Sequence, residues 1–100
     1  MTDENKLGQD ASRGMQAEAL LENALLSEAF QKLESAYVEA WRSTKIDDQT
    51  GREKLFLAIN IVGKVKQHLQ SVANDGKLAA AELRQLAQTA EREKRWQDIS

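Results

Sequence analysis

Large apolar residues recur at Leu26, Phe30, Leu33, Tyr37, Ala40 and Trp41, in steps of three and four that trace one face of a helix. The opposite positions Glu28, Lys32, Glu34 and Glu39 are charged, so the segment reads as an amphipathic helix ending near Ser43 or Thr44. A second series, Leu55, Ala58, Val62, Val65, Leu69 and Val72, keeps a heptad-like alternation for almost three heptads. Phe56, Leu57, Ile59 and Ile61 widen its first half beyond one stripe, which predicts cover from more than one side. Burial of this seam predicts that Val65→Asp unfolds the chain.

Between the two series, Lys45 to Gly51 (KIDDQTG) holds one apolar residue and has the composition of an interhelical loop. Two starts compete for the helix that follows: a capping box of Thr50 with Glu53, and Asp48 as a simple N-cap. Asn74, Asp75 and Gly76 read as a C-terminal stop, with Gly76 in the left-handed conformation. Leu78, Ala79, Leu83, Leu86 and Ala90 then form the apolar side of a last helix. Upstream, Met15, Ala19 and Leu20 suggest a short first helix capped by Asp10 or Ser12; Asn23 leaves open whether it runs on into the next.

These elements predict an all-α fold, a small bundle of three to four helices with antiparallel central helices and the last helix closing the core. Residues 1–11, polar apart from Met1, Leu7 and Ala11, read as a disordered, flexible N-terminal arm; 12–96 as a single helical domain; 97–100 as a frayed C-terminus. The composition agrees. One hundred residues suffice for one core, and a chain with no Pro and 14 Ala is unlike an all-β sandwich. The longest apolar run, Leu55 to Ile59, is far below the roughly 20 residues a membrane helix needs. With no basic-then-apolar leader at the N-terminus, a cytoplasmic setting is expected.

Chemistry is sparse. The chain has no Cys and a single His, His68, so cysteine nucleophiles and cysteine or paired-histidine metal sites are excluded. Neither a nucleophile elbow nor a glycine-rich phosphate loop is present, and no catalytic, cofactor-binding or metal residues are assigned. No small-molecule substrate, cofactor or membrane partner is expected. The net charge of −2 hides an asymmetry: residues 1–50 carry 5 basic and 10 acidic side chains, residues 51–100 carry 9 and 6. Arg42, Lys45, Arg52, Lys54, Lys64 and Lys66 are the candidate nucleic-acid contacts, diluted by Asp47, Asp48 and Glu53. Trp41, Phe56, Ile59, Leu86 and Trp96 are the candidate interface residues, although core packing is the first explanation for Trp41 on its apolar stripe.

The segments LLSEAFQKLESAYVEAWRST, GREKLFLAINIVGKVKQHLQSV and GKLAAAELRQL resemble a set of small helical proteins encoded in tailed-phage and prophage gene clusters, across residues 15–88. The resemblance is one of overall pattern and transfers no catalytic residue. It implies a phage setting and so a bacterial host cytoplasm. The excess width of the second apolar series and Trp96 on the thinly apolar last helix point to a non-enzymatic, homo-oligomeric interaction protein. In that setting it serves virion assembly or packaging, with a phage protein, a host protein or DNA as possible partner. Two alternatives follow from the same setting: a small-terminase-like protein that recognises DNA, though no helix-turn-helix is evident, and an inhibitor that captures a host protein.

Overall fold

The computed structural model describes residues 3–99, with side chains through Trp96. It is all-helical, with three helices: α1 (Glu4–Glu22), α2 (Ala24–Arg42) and α3 (Gln49–Ile99).

Helix α1 begins far earlier than the sequence pattern suggested. The Asp3 carboxylate accepts from the backbone N–H of Asn5 (3.0 Å) and Lys6 (3.3 Å), which caps the helix in place of Asp10 or Ser12. Residues 4–11 are therefore its first turns and not an arm. At the other end, residues 97–99 continue α3, and Ser100 lies outside the described residues.

The chain breaks at Asn23, which has extended backbone and accepts from the N–H of Leu26 at 2.9 Å. This side chain satisfies one orphan donor of α2 and so separates two helices that the apolar pattern left undivided. Helix α2 ends at Arg42 with Ser43 as its C-cap, as the loss of apolar period implied. Of the two starts proposed for α3, Asp48 is the one used. Its Oδ1 accepts from the N–H of Gly51 at 3.0 Å, while Glu53 takes a hydrogen bond from Gln49 Nε2 instead of closing a box with Thr50. A Cβ at position 51 would press on the Asp48 carboxylate, so a larger residue there would require the capping side chain to shift. Asp48→Ala is expected to cost about 1 kcal/mol, the usual value of an N-cap, read as a fall in the urea midpoint; an unchanged midpoint would remove the cap from this account.

The expected stop at Asn74–Asp75–Gly76 does not occur, and the third and fourth predicted helices are one. No glycine has positive φ among the described residues. Gly76 serves a different purpose, which the packing explains.

The chain forms two compact units. One joins residues up to Glu18 with those from Ser71 onward. In it, a Cβ built on Gly76 would lie 2.5 Å from the Cα of Gly14 and 2.9 Å from the carbonyl oxygen of Asp10. The backbones of α1 and α3 therefore touch, and only glycine fits at either position. Gly14, Ala17, Ala73, Gly76 and Ala79 form the buried contact, with Leu83 and Leu86 half-buried. Glu18 and Lys77 add an exposed ion pair at 3.6 Å.

The second unit, Ala19–Gln70, holds α2, the six-residue loop and the first part of α3. Val62 is its one buried large residue, surrounded on α3 by half-buried Leu55, Ala58, Ile59 and Leu69. Helix α2 contributes half-buried Leu26, Phe30, Tyr37 and Val38 and buries nothing completely. The heptad series is correct for Val62, but Val65 is 46% exposed and does not belong to the core.

Candidate interaction surface

The surface of the second unit is best followed from the loop. Where α2 ends and α3 begins, Trp41 and Phe56 come together around an open depression of about 560 Å³, completed by Gln49, Arg52, Glu53 and Leu57. Trp41 is 44% and Phe56 58% exposed, so Trp41 is not the buried core residue that its place on the apolar stripe suggested. The polar side chains of the lining are engaged with the protein itself, Gln49 Nε2 donating to Glu53 and Arg52 Nη2 to the Ile46 carbonyl, and Trp41, Phe56 and Leu57 supply the rest. Its chemistry suits an apolar side chain.

The other candidate interface residues separate. Ile59 is half-buried, three residues before Val62 on α3. Leu86 is half-buried in the first unit, to which Trp96 also belongs as a 74% exposed residue.

The six basic candidates all lie in the second unit. Arg52 donates through Nη2 to the carbonyl of Ile46 at 2.7 Å, which ties down the loop. Lys66 pairs with Glu34 at 3.3 Å across α2 and α3. Arg42, Lys45, Lys54 and Lys64 are exposed. From residue 42 to 54, four basic side chains alternate with three acidic ones, which leaves little net positive field for phosphate. His68 is exposed on α3. Among the described residues, no group of three or more His, Cys, Asp or Glu could hold a metal ion, and no helix is long and apolar enough to cross a membrane.

Sequence reasoning named Leu57 and Ile61 only as extra width, and it missed the wider pattern they belong to. On α3, Leu57, Ile61 and Val65 sit five before, one before and three after Val62. On α2, Leu25, Ala29 and Leu33 stand in the same relation to Phe30, and Ala36 and Ala40 continue the row. All eight are exposed. At about 100° per residue, each set is turned roughly 60 to 140° from half-buried Phe30 or buried Val62, in the same rotational sense. The signal was available as spacings of four, four, three and four from Leu25 to Ala40, hidden because three of the five residues are alanine.

Comparison with protein-family models, with curated proteins and with solved structures returns no match.

Proposed function

We propose that this chain is a non-enzymatic, homo-oligomeric protein-interaction module, with α2 and the first part of α3 paired antiparallel as a helical hairpin. One observation carries the reading. Among the described residues, the buried apolar side chains are Ala17, Val62, Ala73 and Ala79, while Leu25, Phe56, Leu57, Ile61, Leu78 and Trp96 are all more than half exposed. Exposed apolar side chains in continuous rows mark surfaces that another protein covers, since leaving them in water forfeits about 25 cal/mol per Å². The antiparallel pairing is supported by Trp41 and Phe56 lining one depression beside the loop and by Glu34 reaching Lys66 further from it. A role in virion assembly or packaging rests on the resemblance to phage and prophage proteins.

The test is light scattering coupled to size-exclusion chromatography, on the full chain at two concentrations and two salt concentrations. A defined mass of two or more chains, with melting temperature rising with concentration, is expected. A single-chain mass near 11.2 kDa throughout would refute the module as a self-associating one.

A further inference from the structure

We infer that the occupant of the exposed apolar face on the helical hairpin is the same face of a second copy, with α2 of one protomer lying on α3 of its partner. This rests on the hairpin reading above and deepens it. In two antiparallel helices, rows offset from the shared contact in the same rotational sense emerge on the same side. Leu25, Ala29, Leu33, Ala36 and Ala40 therefore share a side with Leu57, Ile61 and Val65.

Size and charge both select a second copy in one orientation. The α2 row is mostly alanine and the α3 row is leucine, isoleucine and valine. Placing α2 on α2 would set small against small and leave voids; α2 on α3 of the partner sets small against large, which fills space. Glu39 borders the α2 row and Lys64 borders the α3 row, each on the edge away from the intramolecular contact. Both are exposed, and neither belongs to the four ion pairs found among the described residues.

The Glu34–Lys66 pair fixes the register. Glu39 lies five residues from Glu34 toward the loop, and Lys64 lies two residues from Lys66 in the same direction. A two-fold axis parallel to the helices preserves that height between copies. It brings Glu39 of one protomer to within three residues of Lys64 of its partner, about 4.5 Å along the axis at 1.5 Å per residue. Side chains of this length span that distance. The contact occurs twice, as an isologous interface requires. The alternative two-fold arrangement places Lys64 away from Glu39 and gains no such pair.

The experiment uses the full-length chain and measures dissociation by light scattering and dilution. Wild type is expected to be an even-numbered oligomer built on the two-fold pair. Ile61→Glu is expected to weaken association at least 100-fold with the helical circular-dichroism signal retained. Lys64→Glu and Glu39→Lys are each expected to weaken it several-fold, and the double variant to recover most of the loss; this swap decides the matter where Ile61→Glu fails to fold. A wild-type monomer overturns both this inference and the oligomeric reading beneath it. An oligomer in which the charge swap gives no recovery, or one with an odd number of chains, overturns the proposed face and leaves the oligomeric reading standing.

Discussion

Gly76→Ala is expected to lower the melting temperature of the chain, and Gly63→Ala to raise it. In a helix interior the exchange of glycine for alanine normally stabilises by about 0.5–1 kcal/mol, because the unfolded chain has less freedom to lose. Gly63 meets that condition, since a Cβ there finds nothing within 4 Å. Gly76 does not. Its Cβ would fall 2.5 Å from Gly14 Cα and 2.9 Å from the Asp10 carbonyl oxygen, and these are backbone atoms that cannot rotate aside. Helices α1 and α3 must then separate, and the burial of Ala17, Ala73 and Ala79 goes with the contact. Overpacking of this kind costs about 1–3 kcal/mol, more than the helix preference returns. Thermal melts of the two variants beside wild type provide the check, with faster proteolysis of α1 expected in Gly76→Ala alone. A rise in melting temperature for both variants would show that the glycine crossing is not close packed.

That contrast explains why the sequence was misread at residue 74. Asn–Asp–Gly is a stop signal when the glycine adopts positive φ, and the same letters are a helical contact when a second backbone needs the space of a missing Cβ. Only the partner helix of the contact, with Gly14 and Ala17, distinguishes the two, and it lies some 60 residues away in a segment with few large apolar residues. The same cause hid the start of α1. A helix that docks through glycine and alanine has no strong apolar period, so residues 4–11 looked too polar to order, and the Asp3 cap went unnoticed.

Where large residues carry the packing, the reading was closer. The extent of α2, the loop and the competing cap at Asp48 follow from local chemistry that tertiary structure does not override, but of the apolar row only Leu26, Phe30 and Tyr37 are half-buried, while Leu33, Ala40 and Trp41 are exposed. The extra width of α3 near Leu57 and Ile61 was also visible, and it is the part of the candidate surface that sequence could supply. The α2 half was not visible, because alanine at positions 29, 36 and 40 is equally at home on a solvated helix. Only the burial of Phe30 and Val62 in the fold gives the matching offsets a common reference.

Val62 and Val65 separate core from surface on the same helix, and their aspartate variants are expected to differ accordingly. Val62 is 7% exposed, the most buried large side chain of its unit, whereas Val65 is 46% exposed one turn away. Val62→Asp loses the burial of a valine, about 1.5–3 kcal/mol, and forces a carboxylate either to lose its water or to hold α2 and α3 apart. A unit with so few buried side chains has little stability in reserve against such a loss, which makes collapse of that unit the expected result. In Val65→Asp the carboxylate remains in water within one chain, at a cost below about 1 kcal/mol for a surface site. Urea melts followed by far-ultraviolet circular dichroism, run dilute enough that wild type is dissociated, isolate this difference from any effect on self-association. Val62→Asp should lose much of its helical signal before urea is added, and Val65→Asp should melt close to wild type. Equal destabilisation by both would return Val65 to the core and remove it from the face assigned to the second copy; tolerance of both would mean that α2 and α3 are not held together through Val62.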